Sequence, residues 1–310
     1  MKIAIYGAGG VGAYFGGRLA RAGADVHLLA RGAHLEALRR DGLRVDSVRG
    51  DFEVELPVTD DPDSIGSCDY VLFAVKSFDT TAAARELEPL LDEETAVVSL
   101  QNGLDNEEKL AGVIGEDRVM GGVAYVFSTI AEPGRIEQTG GPASITFGEL
   151  DGTRSERAER LLEQCERADE MSAELSTSIR IELWEKAAFI CAQAGMTAAT
   201  RLPLGEIRDT DESWRTYRRL VEEVCSVARA TDIELPADTV SRWMAFAEGL
   251  DADAYSSLHY DMTHGKPMEL EALHGTVVRK ARENDVAVPT TEAVYAILRP
   301  WTVRNRRESE

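Results

Sequence analysis

Cysteine is scarce and lysine nearly as scarce, and each shortage excludes something. The four cysteines, Cys68, Cys165, Cys191 and Cys225, form neither a C-x-x-C pair nor a zinc-type spacing. A disulfide framework is therefore not expected, and the four read as small buried residues of a reducing compartment. Five histidines are present without metal spacing; His259, His264 and His274 are near one another but lack an i, i+4 pair, so no metal is expected. No apolar run is long enough to span a bilayer. The apolar start is interrupted by glycines and has no cleavage-like end, so it does not read as a signal peptide, and a cytoplasmic location is expected. Positive charge is also short: 34 Lys and Arg against 55 Asp and Glu give a net charge of −21. That balance argues against nucleic acid or an anionic membrane as a partner. Only six of the cations are lysines. An acid-rich, lysine-poor surface suits a high-salt cytoplasm, although a GC-rich genome alone would also favour Arg over Lys.

What is present begins at the first residue. Lys2-Ile3-Ala4-Ile5-Tyr6 reads as a short buried strand that runs into Gly7-Ala8-Gly9-Gly10-Val11-Gly12, a Gly-x-Gly-x-x-Gly turn, and then into a helical segment over 13–22 stopped by Gly23. In that context Gly7 allows the tight turn, Gly9 admits a pyrophosphate close to the backbone, and Gly12 lets the helix pack on the strand. The helix N-terminus faces the phosphates. Gly7, Ala8, Gly9, Gly10, Val11 and Gly12 are therefore the expected dinucleotide-binding residues. The second strand, Asp25 to Ala30, is followed by Arg31 where an NAD-binding fold usually places an acid. A guanidinium suits a 2′-phosphate, and no acid is near in sequence before Glu36, so NADP(H) is the expected cofactor. A solvated surface arginine is the alternative.

Further strand-like runs at Tyr70 to Val75, Ala96 to Leu100 and Val119 to Val126 alternate with helical segments, which indicates a Rossmann-type doubly wound parallel α/β sheet. Two β segments around 135–138 and 143–147, separated by Gly140-Gly141-Pro142, suggest a hairpin appended to the sheet edge. A helix over 154–168 and a short strand over 173–177 close that region. From Ser178 onward the pattern is helical: 179–199, 213–230, 237–249, 268–284 and 290–297. The expected organisation is a Rossmann domain over 1–174 and an all-helical domain for substrate and dimerisation over 175–310, with the ligand between them.

Lys186 lies in Ile181-Glu182-Leu183-Trp184-Glu185-Lys186-Ala187-Ala188-Phe189-Ile190, and its helical neighbours Ile190, Ala194 and Thr197 make an almost dry face. Such a lysine either snorkels to solvent or is a desolvated ammonium suited to proton donation. Taken with Ala74-Val75-Lys76, Gln101-Asn102-Gly103, Leu183-Trp184-x-Lys186, Leu204-Gly205-Glu206 and Ser256-Ser257-Leu258-x-x-Asp261 followed by Glu269, the chain resembles the ketopantoate reductase (2-dehydropantoate 2-reductase) family nearly end to end. The resemblance implies NADPH-dependent reduction of a 2-oxo acid, 2-dehydropantoate to pantoate in pantothenate and CoA synthesis, by a homodimer. It implies that Lys186 is the general acid and that Glu269 positions Lys186 and the substrate hydroxyl. It also implies that Asn102 and Lys76 line the nicotinamide end and that Ser257 binds substrate. Local alternatives stay open: Asn102-Gly103 is also a common turn pair, Ser257 could cap a helix, and Glu269 could be a first-turn acid. The family usually carries asparagines four and eight residues after the lysine, where this chain has Ile190 and Ala194. Gln193 points about 100° away from Ala194 and is no obvious replacement. An Ile/Ala wall suits a bulkier or more apolar 2-oxo compound. A non-catalytic NADP(H)-binding sensor is the reading from another class, although it would not need Lys186, Glu269, Asn102 and Ser257 together.

Overall fold

The chain folds into the elements its alternating pattern requires, with additions that the pattern does not reveal. The structure, a computed structural model, describes residues 1–309, with side chains as far as 307. By internal contacts it divides into two units: Met1–Gln101 with Asn106–Ile179, and Asn102–Asp105 with Arg180–Glu310.

The first unit runs β1 (Lys2–Tyr6), α1 (Gly10–Arg21), β2 (Asp25–Leu29), α2 (Gly32–Asp41), β3 (Leu43–Ser47), β4 (Phe52–Val54), β5 (Val58–Thr59), β6 (Tyr70–Phe73), α3 (Thr80–Ala84), β7 (Ala96–Ser99), α4 (Asn106–Ile114, adjoining the 102–105 segment), β8 (Val119–Glu132), β9 (Arg135–Glu149), α5 (Glu156–Glu166) and β10 (Ser172–Leu175). Strands β5-β2-β1-β6-β7-β8 lie in that order and all pair in parallel. This is the strand order of a dinucleotide-binding sheet, and it reverses between β1 and β6, where ligands lie beyond the strand ends. The continuous apolar runs follow from burial on both faces. Ile3, Ile5, Tyr70 and Leu72 pack into one core, while Ala4, Tyr6, Val71 and Phe73 pack into the other.

The expected hairpin across Gly140-Gly141-Pro142 does not exist. Arg135–Glu149 is one strand, antiparallel to β8, and the turn between the two falls at Pro133 and Gly134 (φ 82°). Nor is β9 at the sheet edge, because its first half pairs with β3 and β4 lies beyond β3. Its second half pairs with β10 through Ser144 to Phe147. Gly140 to Ala143 is the bend where β9 changes partner. Gly141 (φ 81°) and Ala143 (φ 53°) take left-handed conformations there, and the β8–β9 register shifts opposite them, which is how a bulge accommodates a proline without a donor. β10 ends at Leu175 and the first unit at Ile179, a few residues beyond the expected boundary at 174.

The second unit comprises α6 (Ile179–Thr200, its first residue in the first unit), α7 (Leu204–Arg208), α8 (Asp211–Ala230), α9 (Thr239–Glu248), α10 (Ser257–Thr263), a π-helical turn (Glu271–Gly275), α11 (Thr276–Glu283) and α12 (Pro289–Ser309). A single helix over 268–284 is therefore replaced by a π turn leading into a shorter α-helix. The last helix also runs well past 297, through Pro300. Tertiary contacts outweigh the hydrogen bond that proline removes. Leu298 is fully buried, and buried Asn305 donates from Nδ2 to the carbonyls of Asp261, Met262 and Lys266. Among the described residues, no helix is long and apolar enough to cross a membrane.

Candidate active site

In the first unit the glycine turn shows which of its glycines serve the fold. Gly7 adopts φ +103°, and a Cβ there would lie 2.7 Å from the Val75 nitrogen, so the turn closes on the end of β6. A Cβ on Gly12 would lie 2.2 Å from the Gly7 carbonyl oxygen, and one on Gly10 2.3 Å from the Ser128 carbonyl oxygen. Gly12 thus brings α1 onto β1 and Gly10 brings it onto β8. Gly9 is different: its φ is −74°, and nothing lies within 4 Å of a Cβ built on it. Neither strain nor crowding calls for glycine there, so the open space beside it is available to a ligand.

Gly9 caps α1 without a side-chain bond, and the first turn carries no acid. The first-turn N–H groups and the positive end of the helix dipole are therefore available to an anion. Ser128 contributes a buried hydroxyl with no protein partner on the strand that α1 touches. These features fit a pyrophosphate. Two expected members contribute less. The Ala8 N–H donates to the Leu29 carbonyl at 2.9 Å and so builds the turn, while Val11 packs its side chain on the core and has only its backbone to offer. His34, which the sequence did not single out, accepts from the Gly134 N–H at 3.0 Å; burial holds its pKa below the usual histidine value.

Arg31 caps α2 just beyond β2, and an acid is close to it after all. Its guanidinium lies 2.7 Å from Glu86 Oε2, which also accepts the Tyr6 hydroxyl at 2.5 Å. Glu86 is 55 residues from Arg31 in sequence, so only the crossover after β6 reveals it. Lys76 is exposed and caps the short turn after β6. The buried Gln101 side chain donates to the Val75 carbonyl at 2.9 Å and to Thr80 Oγ1 at 2.8 Å, which ties the end of β7 to that turn.

The second unit carries Asn102, Lys186, Ile190, Ala194, Ser257 and Glu269. Lys186 and Glu269 are each only 8% exposed, so neither is a solvated surface charge. The adjacent Glu185 is engaged elsewhere, accepting from Thr239 Oγ1 at 2.9 Å and from Arg242. Ala194 is buried and Ile190 half-buried. Gln193 is buried and engaged within the helical unit, its Oε1 accepting the fully buried Tyr217 hydroxyl at 3.4 Å.

Three anchors hold the surrounding segments. Thr197 and Ser256 share a hydroxyl hydrogen bond of 2.7 Å, and Ser256 Oγ accepts the His259 N–H at 3.1 Å. Ser256 is thus the cap of α10, which leaves Ser257 exposed at the first helical position. Asp105 pairs with Arg279 at 3.0 Å, which fixes the Asn102 turn, where Gly103 takes φ 130°. The fully buried His274, in the π turn that follows Glu269, bonds the Cys191 carbonyl of α6 at 2.9 Å. Because a carbonyl only accepts, His274 Nε2 carries the proton and Nδ1 is left as a buried acceptor without a partner. Burial lowers its pKa to about 4. Gly195 permits this contact, since a Cβ there would lie 2.6 Å from His274 Nε2. Single π turns inserted in α-helical segments are frequent at functional sites. All four cysteines are buried and free, with Cys191 and Cys165 pushed up to about 12 and Cys68 and Cys225 to about 11 by desolvation. Among the described residues, no group of three or more His, Cys, Asp or Glu could hold a metal ion.

Residues 3–152 match the family model described as ketopantoate reductase PanE/ApbA, and residues 178–301 match that of its C-terminal domain. The chain is 32% identical over 303 residues to the uncharacterized oxidoreductase YkpB of Bacillus subtilis, covering 97% of this chain and 99% of that one. It is 31% identical over 324 residues to the 2-dehydropantoate 2-reductase of Mesorhizobium japonicum, covering 98% of each. The crystal structure of a PanE/ApbA family ketopantoate reductase from Ralstonia eutropha superposes with a TM-score of 0.91 at 33% identity, covering 99% of this chain and all of that one. With both domain models matched in order and this fold beneath them, the chain belongs to the ketopantoate reductase family of NAD(P)-dependent oxidoreductases.

Proposed function

We propose that the chain reduces a 2-oxo acid to the 2-hydroxy acid with NADPH, with Lys186 as general acid. The observation that carries this reading is the burial of Lys186 on α6 at 8% exposure, where a snorkelling side chain would reach solvent. NADP(H), when bound, supplies the hydride. The glycine turn and the N-terminus of α1 hold its pyrophosphate, Arg31 its 2′-phosphate, and Lys76 and Asn102 its nicotinamide end. Lys186 stabilises the charge that develops on the carbonyl oxygen and protonates it, Glu269 orients the ammonium and the product hydroxyl, and Ser257 binds the substrate. A sensor that had lost its chemistry would have no reason to bury both a lysine and a glutamate, because buried charge is costly to maintain.

Family membership puts 2-dehydropantoate first as substrate. Ile190 and Ala194 favour a 2-oxo acid with a more apolar side chain, because each lost amide partner for a substrate hydroxyl costs about 1–3 kcal/mol. NADPH oxidation measured against a panel of 2-oxo acids, 2-dehydropantoate and branched or aromatic ones among them, tests both parts. Turnover of an apolar member with higher kcat/KM supports the wall argument, and higher kcat/KM for 2-dehydropantoate removes it. No oxidation with any member removes the enzyme reading.

A further inference from the structure

Glu86 is the centre of an arrangement that the reaction does not use. Its Oε2 accepts two hydrogen bonds, from the Tyr6 hydroxyl at 2.5 Å and from the Arg31 guanidinium at 2.7 Å. Tyr6 ends β1, is 4% exposed, and stacks on Phe73 with ring centroids 5.5 Å apart, so its hydroxyl is fixed by the core. Arg31 and Glu86 are by contrast 72% and 48% exposed and free to exchange partners with a ligand. The three residues meet beyond the ends of β1 and β2, on the side of the sheet where the adenosine ribose of a bound dinucleotide lies.

We propose that Glu86 is a specificity-determining residue for the cofactor: it occupies Arg31 in the free protein, competes with a 2′-phosphate for the guanidinium, and so narrows the preference for NADP(H) over NAD(H). The inference rests on the reading of Arg31 as the 2′-phosphate ligand. The physical argument is one of exchange. A 2′-phosphate gains the charge-assisted bonds of Arg31 only by displacing a carboxylate that already makes one, and it then faces that carboxylate as a like charge. A ribose carrying a free 2′-hydroxyl meets no such cost, because a carboxylate accepts from a hydroxyl. The acid that dinucleotide folds usually place at the end of the second strand is thus supplied here by the segment after α3. Tyr6 pins it through a hydroxyl whose own pKa is raised by burial and by Glu86.

The test is equilibrium titration of NADPH and NADH, followed by nucleotide fluorescence, against the intact chain and its Glu86→Gln, Glu88→Gln, Arg31→Ala and Arg31→Ala/Glu86→Gln variants. Glu88 is an exposed glutamate two positions away that serves as the control for long-range charge. The expected result is a NADPH affinity up to about fivefold higher in Glu86→Gln, the upper end for an exposed ion pair, without tightening of NADH. Glu88→Gln leaves the ratio unchanged, and the gain disappears when Arg31 is absent. An unchanged NADPH-to-NADH ratio in Glu86→Gln, or an equal rise in Glu88→Gln, overturns the role of Glu86 while leaving Arg31 in place. An unchanged ratio in Arg31→Ala removes the reading of Arg31 and the inference with it.

Discussion

Burying a lysine on a helix face is costly unless function or pairing offsets it, and Lys186 is only 8% exposed. Lys186→Ala is expected to lower kcat by about 10² to 10⁴ while leaving NADPH affinity nearly unchanged. Glu269→Ala is expected to be comparably severe, and the double variant to cost less than the two losses combined, because residues sharing one task are not additive. Near-wild-type turnover in folded Lys186→Ala protein defeats the mechanism. His274 acts on stability instead. Its imidazole titrates at about 4 in the fold against 6.5 for an ordinary histidine. Between those values the unfolded chain holds a proton that the native chain lacks, so the contribution is complete above about pH 6.5 and is lost as the pH falls towards 4. The loss amounts to about 3 kcal/mol. Urea midpoints from pH 7 to pH 4.5 should therefore fall more steeply for the parent than for His274→Gln; parallel curves would show that other groups set the acid limb.

At the scale of the element, the glycine turn separates folding from binding. Gly10→Ala and Gly12→Ala each place a Cβ within 2.3 Å of a backbone oxygen and should destabilise the protein by about 1–3 kcal/mol or more. Gly9→Ala meets nothing within 4 Å, so its melting temperature should match the parent while its NADPH affinity falls. Loss of affinity without loss of stability at Gly9 alone is the signature; equal melting losses at all three positions would contradict it. β1, β6 and β7 were legible because each is an apolar run buried on both faces, and the glycine turn because its spacing is local. Lys186 and Glu269 stand out in the sequence through family motifs, and the structure adds that both are buried. Strands β3, β4 and β5 were not, since with two to five residues each they carry little periodic signal and depend on distant partners. Gly140-Gly141-Pro142 reads as a turn because its residues do favour one, and only the exchange of β3 for β10 beside β9 makes it a bend within a strand. The Glu86 contact was invisible for the same reason, being set by topology and not by spacing.

The whole molecule carries a net charge of −21, and arginines such as Arg39, Arg40 and Arg215 offset neighbouring acids in exposed pairs worth little individually. If the acidic surface is an adaptation to salt, raising KCl from low to molar concentration should raise the melting temperature by about 5–10 °C as self-repulsion is screened. A flat curve would leave genome composition as the explanation for the shortage of lysine. The partner exchange of β9 has a further consequence, for the order in which the chain can fold. β1 and β2 pair across a single crossover soon after synthesis, but β3, at residues 43–47, has no parallel neighbour until residues 135–138 are available. β10, at residues 172–175, comes after the second half of the same strand and docks on it as a nearer partner. One side of the sheet therefore matures from local contacts while the other stays open until the β8–β9 ribbon arrives to close it. That late, long-range step is the natural candidate for the slowest event in folding of the first unit.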